Sequence, residues 1–235
     1  MAEAGFHADL DRPGRTLLIA FGGLMGSVGA IPVFEFFSLV ERENPEVKRL
    51  FVRDLKQAWY QLGVAGVGDT APEVAAWLRE LVAGLDVERT VGVGASAGGF
   101  GALLFGALAG LDEVHAFGPQ TFLDRRRRAL HRERRNREEI AVVNRIPRDR
   151  PVFRDLRPVL AGASTGSRYV IHYSARNRLD VIHARRLRRL PGVELRPHPF
   201  AEHNVVGVLR ERGELPALLN AIVSGASSPP KRPST

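Results

Sequence analysis

The stretch from Thr90 to Leu104 constrains this chain more than any other. Thr90-Val91-Gly92-Val93 is a short β-branched run and predicts a buried strand, and the Ala/Leu-rich residues after Gly98 predict a buried helix. Between them lies Gly94-Ala95-Ser96-Ala97-Gly98, a G-x-S-x-G pattern. In a strand-to-helix turn this sharp, the residues two before and two after the serine crowd together, so both must be small. Such a turn lifts Ser96 Oγ clear of the sheet and points the Ala97 amide at the space where an oxyanion would form. Two other readings fit the same residues. Gly92-x-Gly94-x-x-Ala97 matches a dinucleotide-binding fingerprint, with Asp112 at about the expected 20 residues further on. Plain packing of small residues is the third. The rest of the chain has to choose among them.

The segments on either side alternate between strand and helix patterns. Thr16 to Phe21 is a continuous apolar run, a buried parallel strand, and the glycine-rich loop Gly22-Gly23-Leu24-Met25-Gly26 follows at once. Val33 to Val40 predicts a pocket-lining loop or short helix, and Val47 to Val52 a strand. Asp69-Thr70-Ala71-Pro72-Glu73 supplies an N-cap region for a helix through Leu85, with Val74, Trp77, Leu78, Leu81 and Val82 on its buried face. Glu113 to Gly118 is the next strand. Residues 120–162, rich in arginine and then in proline, predict an inserted lid, beginning with a helix that runs to about Val143. Arg168 to Tyr173 returns to strand, followed by a helix Val181 to Leu190. Val193 to Phe200 is a last strand, placed at an edge by its prolines. A final helix, Val205 to about Ile222, has Gly213 as a potential break. Residues 1–14 are expected to be a flexible leader, 15–223 one domain, and 224–235 a disordered tail.

Composition narrows the function classes. With 44% hydrophobic and 26% charged residues, the 235-residue chain is expected to be globular. The absence of cysteine excludes a disulfide scaffold, a thiolate zinc site and cysteine catalysis. The first fifteen residues lack the apolar core of a signal peptide, and the longest apolar stretch, Gly98 to Leu111, is too short to span a bilayer. A cytoplasmic protein without membrane contact is expected. The histidines are scattered, with no H-x-x-x-H pattern, so no metal and no cofactor is expected.

A seryl hydroxyl is a poor nucleophile near neutral pH unless an imidazole takes its proton and a carboxylate fixes the imidazole tautomer. Three residues lie past the carboxyl ends of predicted strands, where parallel sheets gather their sites: Ser96, Asp180 and His203. His115 and His172 fall within strands and read as packing residues. His183 falls in a helix, His198 along the last strand, His131 in the arginine segment and His7 in the leader. Asp124 is the rival acid. Asp180 is preferred because it is expected to begin a helix, and it could act as that helix's N-cap as well.

Four pieces in order carry a resemblance: Phe21-Gly22-Gly23, Gly94 to Gly99, Asn177-Arg178-Leu179-Asp180-Val181 and Ala201-Glu202-His203-Asn204. Over residues 15–223 the chain resembles compact members of the α/β-hydrolase superfamily. The resemblance implies an α/β fold with a mostly parallel central sheet flanked by helices in three α/β/α layers. It implies a Ser96-His203-Asp180 triad and an acyl-enzyme formed from an ester or thioester. Its oxyanion hole would use the amides of Ala97 and of Gly23 or Leu24. The activity implied is that of a serine esterase or thioesterase. An acyltransferase acting on a carrier-bound or coenzyme A thioester would use the same residues, and a non-catalytic binding protein on this fold is the reading from a different class. The dinucleotide reading leaves Asp180 and His203 unexplained. Two departures stand out: the chain starts at the strand before the oxyanion loop, without the usual antiparallel hairpin, and it has Phe-Gly-Gly in place of His-Gly-Gly-Gly.

The net charge is +8, and residues 125–137 hold eight arginines against one glutamate, a surplus of seven. This is a local patch on an otherwise near-neutral chain. It reads as a solvated helix face or as a docking surface in which Arg125, Arg126, Arg127 and Arg128 receive an anionic part of a small-molecule or carrier-bound acyl substrate. Nucleic acid is not expected, because no aromatic residues interleave the arginines.

Overall fold

A computed structural model describes residues 4–24, 34–147, 149–163 and 166–226. Its core is a seven-stranded sheet made of β1 (Phe6–Asp9), β2 (Thr16–Phe21), β3 (Lys48–Val52), β4 (Arg89–Ala95), β5 (Glu113–Phe117), β6 (Arg168–Ser174) and β7 (Val193–His198). The order across the sheet is β1-β3-β2-β4-β5-β6-β7, and only the β1–β3 pairing is antiparallel. The elbow strand β4 therefore lies at the centre. Its residues are buried on both faces, which is why the strand reads as an unbroken apolar run and not as an alternation.

Alternate residues of each strand feed two cores. Leu17, Ile19 and Phe21 pack with α2 (Ala71–Ala83), α3 (Ala97–Ala109) and α6 (Leu156–Ala161). Leu18, Ala20, Val91 and Val93 pack on the opposite face with α1 (Phe37–Glu43), α8 (Val205–Glu211) and α9 (Leu215–Ser224). This is the three-layer arrangement expected from the strand–helix alternation. Helix α2 starts where the sequence places it: Thr70 accepts from the Glu73 amide, and Glu73 reaches back to the Thr70 amide in a capping box. The break at Gly213, where φ is 69°, separates α8 from α9.

Several expectations are corrected. The leader expected over 1–14 contains β1: Phe6 packs against Trp77, and Asp9 accepts from the Arg49 guanidinium at 2.9 Å. Four residues were too few to show a periodicity. Among the described residues the chain thus has one antiparallel strand before β2 where none was expected. The arginine segment is two short helices, α4 (Arg125–Leu130) and α5 (Arg137–Arg145), because the chain turns back between Arg132 and Asn136, both at φ near 50°. Residues 120–162 do leave the sheet between β5 and β6, yet Leu123, Ile140, Val143, Leu156 and Leu160 lie in the main core. The excursion is therefore a wall of the domain and not a lid laid over it. Helix α7 (Arg178–Arg185) begins earlier than expected, with Asn177 as its cap; Asp180 sits in its first turn. Most of the expected tail lies outside the described residues.

Candidate active site

Ser96 caps α3 at φ 52° and ψ −113°, a conformation that L-residues rarely adopt, so the turn is strained. Its neighbours allow it. A Cβ on Gly94 would stand 2.2 Å from the Gly98 carbonyl oxygen, and one on Gly98 would stand 2.1 Å from the Phe21 carbonyl oxygen. Both obstacles are backbone, so nothing can yield. The Ser96 amide donates to the Phe117 carbonyl at 2.8 Å, which ties the turn to the central sheet. Ala97 opens α3, and the amides of a helix's first turn have no partner within the helix.

The structure brings Ser96, His203 and Asp180 together. His203 Nε2 is 3.1 Å from Ser96 Oγ, and His203 Nδ1 is 2.8 Å from Asp180 Oδ1. The loops carrying the two partners are laced together: the Asn177 amide group donates to the Ala201 carbonyl at 3.1 Å, and the Arg176 amide to the Phe200 carbonyl at 3.0 Å. The Asp180 carboxylate is buried, while the His203 ring is partly open to solvent. With Nδ1–H donated to Asp180, Nε2 is left as the acceptor for the serine proton, the tautomer a general base needs. The rival acid, Asp124, caps α4 and pairs with Arg127 instead. Asp112, the acid of the dinucleotide reading, accepts from the Thr90 amide and hydroxyl, each at 2.7 Å, and is a structural clamp between β4 and β5.

Two side chains stand in the site that sequence reasoning did not single out. Arg135 Nη1 is 2.9 Å from Asp180 Oδ1 and 2.8 Å from His203 Nδ1, and its other nitrogens hold Glu133. Burial opposes ionisation of Glu133, but hydrogen bonds from His183 and Arg135 outweigh it and hold the carboxyl well below its ordinary range. Burial pushes His183 down to about 4, so its neutral ring accepts from the Thr121 amide and donates to Glu133. The second is Glu35, which accepts from the Gly23 amide at 3.2 Å. Burial pushes its carboxyl up to about 7. Of the two amides expected to complete the oxyanion hole, Gly23 therefore already has a partner; Leu24 follows it in the same loop. Tyr60, also missed, donates to the Gly22 carbonyl at 2.8 Å and pins that loop from beneath. Asp54 holds Tyr60 in a left-handed conformation by accepting from its amide at 2.8 Å.

Gly23, Leu24, Phe36, Leu39 and Leu215 are among the residues lining a cavity of about 700 Å³ beside the loop, with Arg42 and Arg210 also on its walls. The size and mixed lining suit a small organic group. The arginine run is divided by the fold. Arg125 and Arg126 are exposed on α4, Arg127 pairs with Asp124 and Asp155, and Arg128 is buried. Among the described residues, no helix is long and apolar enough to cross a membrane.

No family model and no curated protein matches the sequence. Solved structures do match in three dimensions. One is the capsule O-acetyltransferase of Neisseria meningitidis serogroup A, with a TM-score of 0.67 at 13% identity over 92% of this chain and 90% of that one. An esterase from Exiguobacterium antarcticum gives a TM-score of 0.57 at 13% identity over 93% and 95%. A fluorophosphonate-binding serine hydrolase of Staphylococcus aureus gives 0.53 at 13% identity over 86% and 83%. The seven-stranded, mostly parallel sheet with helices on both faces, together with these likenesses, shows that the chain has the α/β-hydrolase fold.

Proposed function

We propose that the protein is a serine hydrolase that cleaves an ester or thioester through an acyl-Ser96 intermediate. The observation that carries this reading is the unbroken hydrogen-bond line from Ser96 Oγ through His203 to Asp180 Oδ1. As Ser96 Oγ bonds to the substrate's carbonyl carbon, its proton passes to His203 Nε2, and Asp180 stabilises the resulting imidazolium. The amides of Ala97 and Leu24 receive the negative oxygen, each donor contributing about 3 kcal/mol to the barrier reduction. Collapse breaks the bond to the leaving alcohol or thiol, which takes the proton from Nε2. Water then attacks the acyl carbon, gives a proton to His203 and releases the acid, restoring the Ser96 hydroxyl.

Acyl transfer is the second reading. It is favoured by the likeness to a capsule O-acetyltransferase that matches end to end. In that case a sugar or other hydroxyl replaces water in the second half-reaction. The test is intact-mass analysis after mixing with an aryl acetate and with an acetyl thioester. A transient 42-Da-class acetyl adduct on Ser96 is expected, and its lifetime shortens with added polyol if transfer is the physiological step. Failure of both donors to acylate Ser96 in folded protein contradicts both readings.

A further inference from the structure

The eight arginines of residues 125–137 have separate fates. Arg127 is spent on Asp124 and Asp155, and Arg135 is turned inward onto Glu133 and Asp180. Arg125 and Arg126 stand out from α4. The remaining four, Arg128, Arg132, Arg134 and Arg137, line a cleft of about 260 Å³ together with Ala129 and Glu133. The left-handed residues Arg132 and Asn136 turn the chain so that Glu133 and Arg135 face inward while Arg132 and Arg134 face out.

The cleft has unmatched positive charge. Its one carboxylate, Glu133, is held by Arg135 at 2.5 Å and by His183 at 3.2 Å. Among the described residues no carboxylate pairs with Arg132, Arg134 or Arg137. Arg128 is 8% exposed, and its Nη2 donates to the Arg135 carbonyl at 2.6 Å. Its Nη1 is buried with no hydrogen-bond partner. A buried guanidinium nitrogen without a partner is costly, and an oxyanion is what relieves it. Burial pushes the Arg128 guanidinium below its ordinary value; the nearby Glu133 charge opposes this, and the charges of Arg135 and Arg137 add to it. Four arginines lining one small polar cleft suit a phosphate, whose oxygens accept paired N–H donors.

We propose that the Arg128–Arg132–Arg134–Arg137 cleft binds a phosphate group carried by the substrate of the Ser96 site. The inference rests on the reading of Ser96 as an acyl-transfer centre. One residue touches both: the Arg135 carbonyl holds Arg128, and the Arg135 side chain holds Asp180. The phosphate monoester of a small acyl donor and the phosphodiester of a polymeric substrate share this chemistry.

Calorimetric titration of the full chain with inorganic phosphate, adenosine 3′,5′-bisphosphate and a short polyphosphate tests it. At least one is expected to bind with 1:1 stoichiometry, and Arg132→Ala/Arg137→Ala is expected to weaken binding by about tenfold per arginine removed. The charge-matched Arg125→Ala/Arg126→Ala variant and Ser96→Ala are expected to bind as the wild type does. Tightest binding of the bisphosphate identifies a small donor, and tightest binding of polyphosphate a polymer. If none binds, or if the Arg125/Arg126 variant loses as much as the Arg132/Arg137 variant, the inference is overturned. Ser96 acylation without phosphate binding overturns this inference alone. Phosphate binding without acylation overturns the acyl-transfer reading and leaves the anion site standing.

Discussion

The Arg135 guanidinium shares one oxygen with the His203 imidazole: Arg135 Nη1 lies 2.9 Å from Asp180 Oδ1, and His203 Nδ1 lies 2.8 Å from the same atom. Arg135 Nη1 is also 2.8 Å from His203 Nδ1. An arginine nitrogen can only donate, so this last contact is a hydrogen bond only when Nδ1 is unprotonated. Asp180 therefore decides the tautomer. As the common acceptor it draws the imidazole proton onto Nδ1 and leaves Nε2 to face Ser96.

Asp180→Asn removes that decision, because an amide can present N–H to Nδ1 and reverse the ring's polarity. The rate of Ser96 acylation is expected to fall by roughly 10³- to 10⁴-fold with the fold retained. Stopped-flow or quenched labelling checks the rate, and far-UV circular dichroism checks the fold. A variant that acylates at the wild-type rate would remove Asp180 from the account.

Arg135 compensates two buried carboxylates at once. Arg135→Met leaves Glu133 and Asp180 without their shared counter-charge and is expected to lower stability by about 3 kcal/mol. Denaturant unfolding measures this directly. Arg135→Lys keeps the charge but not the fork of donors, so it should fall between the variant and the wild type. An Arg135→Met protein as stable as the wild type would show that the ion pairs are not formed.

Gly98→Ala tests the elbow. The added methyl would meet the Phe21 carbonyl oxygen at 2.1 Å and the Gly22 carbonyl at 2.9 Å, both backbone. A loss of about 3 kcal/mol, or failure to fold, is expected. Gly110→Ala is the contrast, since a Cβ there meets nothing within 4 Å and its cost is only that of a left-handed φ. Thermal melts of the two variants should separate clearly, and equal melting points would contradict the crowding described here.

A row of histidines crosses the sheet beneath α8 and α9. Glu113 accepts from His115 Nε2 at 2.7 Å, His115 Nδ1 from His172 Nε2 at 3.0 Å, and His172 Nδ1 from His198 Nε2 at 3.1 Å. One set of neutral tautomers satisfies every link. Burial pushes all three rings below their ordinary value, as it does His183. In the folded state these rings bind protons less readily than in the unfolded chain, so the stability they allow is full above about pH 6.5 and is lost as pH falls below it. Glu35 and Asp54, pushed by burial up to about 7 and about 6, work in the opposite sense over the same range. Four rings outnumber two carboxylates, so urea midpoints are expected to drop between pH 7 and pH 5. A midpoint that rises on acidification would contradict the dominance of the four rings over the two carboxylates.

The turn at Ser96, the three strands that follow it and the meeting of Ser96, Asp180 and His203 at one sheet edge were legible because each depends on local chemistry: small residues at Gly94 and Gly98, and polar residues just past apolar runs. Arg135 was not. Within a run of eight arginines nothing marks the one that turns inward: Arg132 gives no signal for its left-handed turn, and Asn136, a residue type that tolerates one, does not say which arginine the turn points inward. Strand β1 was missed for a similar reason. Its partner β3 lies some forty residues away, and its four residues bury too little to stand out. Tyr60 gave no sign because its left-handed backbone is imposed by Asp54 and not by its own side chain.

The most direct measurement is intact-mass analysis after exposure to a fluorophosphonate, with Ser96→Ala and His203→Ala alongside the wild type. The account predicts a single adduct on the wild type, none on Ser96→Ala, and slow formation on His203→Ala. An unlabelled wild-type protein that is folded, or an adduct that survives Ser96→Ala, would contradict it.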